Sequence, residues 1–184
     1  MTLGLKHGTV VVVPYCDTWP DTFNAESAHI RRHLPTGSPD VRLEHTGSTS
    51  VPGLAAKPVI DILAGVENES GRAQALTSLV RAGYDHRGEQ GIPGRDFLRR
   101  GEPRQYHVHL TVVGSDFWID HLDFRDWLRQ HASVAAAYGL LKEQLALRFS
   151  GDREAYIAGK TEFIAGVLRS ARTSAPEALN SMTV

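Results

Sequence analysis

Hydrophobic positions along the chain follow two periods. Up to Val113 they fall in short runs or alternate with polar residues; beyond Gly114 they return at every third or fourth position. Side chains alternate across a strand and come back to one helix face after three or four residues, so a sheet-forming part precedes a helical part. "TVVVVPY" (Thr9–Tyr15) is β-branched and predicts a strand or extended arm stopped by Pro14. "TFNAESAHIRRHL" predicts a helix with Asn24 as its N-cap and Pro35 beyond its end. After a loop at "TGSPD", "VRLEHT" alternates as a strand does. "KPVIDILAGV" is apolar on both faces and predicts a central strand. "ESGRAQALTSLVRAGY" reads as a helix ending at Gly83, and "DFLRR" as a short strand inside a Gly-, Pro- and Arg-rich loop. "YHVHLTVV" closes this part as an alternating strand.

Three amphipathic helices follow. "SDFWIDHLDFRDWLRQH" places Phe117, Trp118, Leu122, Trp127 and Leu128 on a stripe, with Ser115 as N-cap. "SVAAAYGLLKEQLALRF" repeats at Val134, Tyr138, Leu141 and Leu145, and "REAYIAGKTEFIAGVLR" at Ile157, Ile164 and Leu168. The tail from Thr173 is small and polar and predicts flexible chain. The expected architecture is α+β: a mixed sheet with flanking helices and a C-terminal helical half packed on it, one domain over 1–172 and a flexible tail over 173–184. A length of 184 residues suits one domain.

A formal net charge of −1 gives the chain no long-range field for nucleic acid or membrane, so any polyanion site must be local. Cys16 is the only cysteine, which excludes an internal disulfide and a CxxC metal knuckle. No apolar run approaches membrane-spanning length and the N-terminus does not read as a signal peptide, so a cytoplasmic location is expected.

Polar residues set into apolar strands break these patterns, and they gather in two segments. In "EHTGSTSVPGLAAKPVIDIL" (Glu44–Leu63), Gly47-Ser48 follows one strand and precedes another. Glycine lets backbone approach a ligand, successive N–H groups cradle phosphate oxygens, and Ser48, Thr49 and Ser50 add hydroxyls; the same residues also make an ordinary turn. Asp61 interrupts Val59, Ile60, Ile62 and Leu63. It faces a cleft, a metal or a partner, or else it pairs with an arginine, because an unpaired buried charge is costly. Glu44, on the neighbouring strand, either supplies a second carboxylate or is merely exposed. In "YHVHL", His107 and His109 share one strand face, which suits metal binding, phosphate binding or acid–base work, or the polar face of an edge strand. His45 is placed to approach the same region. Arg95, Arg99, Arg100 and Arg104 cluster beside them and, with Lys57, suit an anion; a solvated loop is the alternative.

Together these segments resemble the GrpB-like family, whose fold resembles the nucleotidyltransferase superfamily. "VVVPYCDTWPDTF" resembles the family's opening, with Cys16-Asp17 as a departure. "EHTGSTSVPGLAAKPVIDIL" is similar to its signature almost throughout, and "YHVHL", "HLDFRDWLRQH", "YGLLKEQLA" and "YIAGKTEFI" follow in family order. The resemblance implies that Gly47 and Ser48 match the triphosphate-binding turn and Asp61 the first of two metal-binding carboxylates. Leu63 stands at the second position.

Two functions are therefore expected as alternatives. One is a nucleotide-dependent, metal-assisted transferase with a small-molecule acceptor, a carboxylate acceptor making it an ATP-dependent ligase. An NTP, ATP first, would sit on Gly47, Ser48, Thr49, Ser50, Lys57, Arg99 and Arg100. Mg²⁺ or Mn²⁺ would sit on Asp61 and Glu44, with Asp61, His107 and His109 catalytic. The other is a catalytically inactive ligand-binding or folding-assistant module. Neither expectation includes a membrane partner, and a short arginine cluster with only Phe97 and Tyr106 to stack on bases argues against nucleic acid.

Overall fold

The computed structural model describes residues 3–6, 8–34 and 40–180. Helix α1 (Trp19–His33) leads to strand β1 (Arg42–Thr46), a single 3-10 turn (Ser48–Ser50) and strand β2 (Ile60–Val66). Helix α2 (Glu69–Arg81), strands β3 (Asp85–His86), β4 (Asp96–Arg100) and β5 (Tyr106–Val112), and helices α3 (Asp116–Gln130), α4 (Ala132–Arg148), α5 (Arg153–Ala158) and α6 (Thr161–Asn180) complete the chain. The strands form one mixed sheet in the order β1-β2-β5-β4-β3, in which only β2 and β5 run parallel. This is the expected α+β architecture, with the Asp61 strand between the Glu44 strand and "YHVHL".

Burial explains the central position of β2. Ile60, Ile62 and Ala64 meet Trp19 and Ile30 of α1 and Ala75 and Leu79 of α2 in one core, joined by Leu98, Val108 and Leu110 from the neighbouring strands. The register then sends Asp61, Leu63, His107 and His109 to the opposite face, since Asp61 pairs with His107 and Leu63 with His109. Helix α3 packs on β1, β2 and β5 at that face, with α4 and α6 against α3. A second core of Val51, Leu54, Leu128, Ala135 and Tyr138 ties the segment after the 3-10 turn to α3 and α4.

Side-chain caps fix several boundaries. Asn68 accepts from the Gly71 N–H at 3.0 Å, Ser115 from Trp118 at 3.3 Å and Asp152 from Ala155 at 3.0 Å. Elsewhere the structure departs from the pattern. Helix α1 begins at Trp19, upstream of Asn24, with Pro20 in its first turn, where a missing N–H costs nothing. Pro35 lies outside the described residues. Thr9–Tyr15 is an extended arm with one bridge, Val13 to Ala56, rather than a paired strand. The third amphipathic helix is two: it breaks at Gly159-Lys160, and a Cβ on Gly159 would overlap Leu145 of α4, so the break lets the helices approach. Helix α6 continues through Thr173 to Asn180, across the start of the expected flexible tail; 181–184 lie outside the described residues.

Candidate functional site

Asp61 lies near the start of the β2–β5 pair, opposite His107. Its Oδ1 accepts from His107 Nδ1 at 2.8 Å and lies 3.8 Å from His109 Nε2. Its Oδ2 faces Gly47, which has φ 66° and ψ −174°, a backbone conformation that belongs to glycine. A Cβ on Gly47 would overlap that oxygen. The Gly-Ser turn is thus glycine because the carboxylate occupies the space. Burial pushes the Asp61 pKa up, but hydrogen bonds from His107 and His109 outweigh it and hold the carboxyl well below its usual range. Burial lowers the His107 pKa, so the imidazole is neutral at neutral pH and its Nδ1–H donates to an ionised Asp61.

The protons on the second imidazole follow from Arg95. Its Nη1 lies 3.1 Å from His109 Nδ1, and a guanidinium can only donate. Neutral His109 therefore carries its proton on Nε2, towards Asp61. Arg95 is held in place by Nη2 donating to the Glu89 carbonyl at 2.6 Å. His107 Nε2, by contrast, is buried with no partner. His121 of α3 stacks near His109, donates Nδ1–H to the Phe117 carbonyl at 2.8 Å, and is pushed by burial to a pKa of about 4.

A cavity of about 400 Å³ opens beside this group. Lys57, Arg95, Arg104, Lys142, Arg153 and Lys160 line it, and Asp61 is the one carboxylate among its lining residues. None of the six cations forms an ion pair among the described residues. Lys57 and Lys160 both lie against the buried Tyr156 ring, with Nζ 4.1 Å and 4.7 Å from its centre. Lys142, almost fully buried, donates to the Ala55 carbonyl. Burial and then neighbouring Lys160 push the Lys142 pKa down to about 7. Burial, followed by Lys160, Arg153 and Arg104, lowers Lys57 to about 8. Buried cations without counter-charges are expensive. A lining of this charge attracts anions.

The expected residues divide. Asp61, His107 and His109 come together, and Ser48, Thr49 and Lys57 line the same cavity. Ser50 does not: its hydroxyl donates to the Gly47 carbonyl at 2.6 Å and its own carbonyl accepts from Arg129. Glu44 is paired with Arg125 at 2.7 Å, so it is not a second carboxylate beside Asp61. Arg99 pairs with Asp85 at 3.0 Å, outside the cavity. Arg100 follows the strand alternation to the opposite sheet face, where it pairs with buried Glu26, which also accepts from Tyr84. His45 points to that face as well, stacked on Phe23, with burial taking its pKa to about 4. Lys142, Arg153, Tyr156 and Lys160 were not singled out in the sequence. Lys142 did leave a signal, since it stands one turn after Tyr138, next to the apolar stripe of α4.

The fold is of the nucleotidyltransferase-like class. Cid1 poly(U) polymerase, solved with magnesium and 3′-dATP bound, superposes with a TM-score of 0.54 over 80% of this chain and 49% of that chain, at 14% identity, a likeness of fold alone. Within that class the chain belongs to the GrpB family: the family model described as GrpB protein matches residues 9–170. The crystal structure of the conserved protein GrpB from Enterococcus faecalis superposes with a TM-score of 0.79, at 35% identity, covering 89% of this chain and 98% of that one. The UPF0157 protein YqkA of Bacillus subtilis is 36% identical over 156 residues, which are 84% of this chain but only 45% of that protein. This chain therefore spans about half the length of that relative. No helix among the described residues is long and apolar enough to cross a membrane.

Proposed function

We propose that this chain binds a nucleotide through its phosphates in the cation-lined cavity and transfers a nucleotidyl group to a small-molecule acceptor. One observation carries the reading: six unpaired cations and one carboxylate line a cavity beside the Gly47-Ser48 turn of a nucleotidyltransferase-like fold. Lys57, Arg104, Arg153 and Lys160 hold phosphate oxygens. Ser48 adds a hydroxyl donor from the turn, while the buried Thr49 hydroxyl is engaged with His45 Nε2 at 3.0 Å. His107 is the base. Its Nδ1–H is fixed on Asp61, which leaves Nε2 as the lone pair without a partner and able to take the acceptor's proton. Asp61 orients that imidazole and stabilises its protonated form.

The divalent ion implied by the fold class has one group to consider among the described residues. Ligand atoms of Asp61, His107 and His109 lie within 4.8 Å of one another. This set fits magnesium poorly. A hard ion prefers oxygen ligands, and two of the three donors here are imidazoles. Manganese accepts nitrogen more readily, but the nitrogens of His107 and His109 nearest Asp61 carry protons.

The test is a thermal-shift series with ATP, the other NTPs and inorganic phosphate, followed by a pyrophosphate-release assay with hydroxyl, amine and carboxylate acceptors. A ligand at 100 times its Kd contributes about 2.7 kcal/mol to folding, which raises Tm by about 5–10 °C for a chain of this size. Failure of every nucleotide to shift Tm removes the reading. A second reading, binding without turnover, is favoured by Leu63, which is fully buried where the resemblance puts a second carboxylate. It predicts stabilisation by ATP with no pyrophosphate released for any acceptor.

A further inference from the structure

We infer that the cavity binds the triphosphate of its nucleotide without a divalent cation, the protein's own lysines and arginines neutralising the charge that metal ions neutralise in a two-metal site. The inference rests on the nucleotide reading above and deepens it. Three observations lead to it.

The first is the state of the only group that could hold a metal among the described residues. Asp61 Oδ1 already accepts from His107 Nδ1, and Oδ2 lies against Gly47. Arg95 donates to His109 Nδ1, so the His109 nitrogen nearest Asp61 bears a proton and offers no lone pair. A metal here would have to displace protons from both imidazoles and withdraw Arg95, itself bonded to the Glu89 carbonyl. As built, Asp61 Oδ1 is engaged by His107 and His109 Nδ1 by Arg95.

The second is charge. Six cations against one carboxylate leave five positive charges uncompensated when the lysines are protonated. A free dication entering that field is repelled, whereas a triphosphate brings about four negative charges, nearly two of them on its terminal group. The match is to a triphosphate rather than a monophosphate. The third is rigidity. Tyr156 holds Lys57 and Lys160 against one buried ring, so two of the cavity's donors are placed before any ligand arrives.

Isothermal titration of the full chain with ATP, ADP and inorganic tripolyphosphate, in EDTA and in excess Mg²⁺, tests this. We expect ATP to bind in EDTA at least as tightly as in Mg²⁺, ADP to bind tenfold or more weakly than ATP, and tripolyphosphate to bind in EDTA. Lys160→Gln should weaken ATP binding in EDTA tenfold or more, with Arg153→Gln as a second variant should the first fail to fold. Arg172→Gln, paired with Asp120 and not lining the cavity, should change nothing. ATP binding that is tenfold or more tighter with Mg²⁺ overturns the inference and leaves the nucleotide reading standing. Equal affinity for ATP and ADP in EDTA overturns the triphosphate assignment. Absence of binding by both ATP and tripolyphosphate under either condition overturns the inference and the nucleotide reading together.

Discussion

Replacing Asp61 with asparagine separates two accounts of the site by sign. If Asp61 carries a metal, the change removes the ligand's anchor and relieves an unpaired charge, so the apo protein stays equally stable or becomes firmer. In this structure the charge is not unpaired. Asp61 accepts from His107 at 2.8 Å and is the one anion among six cations. Asparagine can still accept the His107 proton, so the loss is the difference between a charge-assisted and a neutral hydrogen bond, about 1 kcal/mol. Lost attraction to the surrounding cations adds to it, up to the 3–5 kcal/mol ceiling for breaking a buried pair, which asparagine's retained acceptor keeps out of reach. We therefore expect Asp61→Asn to destabilise the apo protein by about 1–3 kcal/mol, a fall in Tm of about 2–12 °C. Differential scanning calorimetry reads this directly. The folded pKa of Asp61 is depressed below 3.8, so its stabilisation is complete above that value and is lost as pH falls through the folded pKa. The gap between wild type and variant should close in strong acid. In EDTA the variant should bind ATP as tightly as wild type or more tightly, because the one carboxylate among the cavity's described lining residues has lost its charge. An unchanged or raised apo Tm together with lost ATP binding refutes the reasoning.

Gly47→Ala places a Cβ against Asp61 in a glycine-only backbone conformation, so calorimetry should show a loss of about 3 kcal/mol or more and weakened ATP binding. Glu26→Gln leaves Arg100 without its carboxylate on the far face of the sheet; urea denaturation should show a loss of about 2–4 kcal/mol, with ATP affinity unchanged. Lys142 and Lys57 titrate at about 7 and about 8 in the free protein, and a bound polyanion raises both values. Binding should therefore take up protons near pH 7.5, and ATP affinity should fall as pH rises from 6.5 to 9; calorimetry in buffers of different ionisation enthalpy measures the uptake.

Much of the sheet was legible because its signal is local. "KPVIDILAGV" carries charge only at Lys57, its first position, and at Asp61, and a strand buried on both faces has to lie inside a sheet. Ser115 and Gly83 marked helix ends by cap chemistry that needs no tertiary context. The misreadings share a different cause. Helix α1 starts at Trp19 because Trp19 is buried against α1's own core and meets Tyr15 edge-on at 5.2 Å; propensity around Asn24 cannot report that contact. The break at Gly159-Lys160 depends on Leu145 of another helix, and the two-residue strand β3 exists only because β4 offers it an edge.

The site was legible where strand alternation places it and illegible where helices supply it. His107, His109 and Asp61 meet because positions two apart on one strand, and paired positions on parallel neighbours, share a face. The same rule separates Arg99 from Arg100, which adjacent positions should have foretold: neighbours on a strand cannot serve one ligand. Of the cations that surround the cavity, Lys57, Arg95 and Arg104 stand out in the sequence, whereas Lys142 of α4 and Arg153 and Lys160, at the start of α5 and just beyond its end, are ordinary charged residues in their own surroundings. Their meaning lies in what they lack. Arg125, Arg100, Arg72 and Arg99 each found a carboxylate, while the six around the cavity did not. A chain of net charge −1 with 21 acidic residues has enough carboxylates to pair them. Folding has instead gathered cations where, among the described residues, one carboxylate lines the cavity, at a cost in stability that the proposed polyanion would offset, and this selective lack of partners is what supports the phosphate proposal.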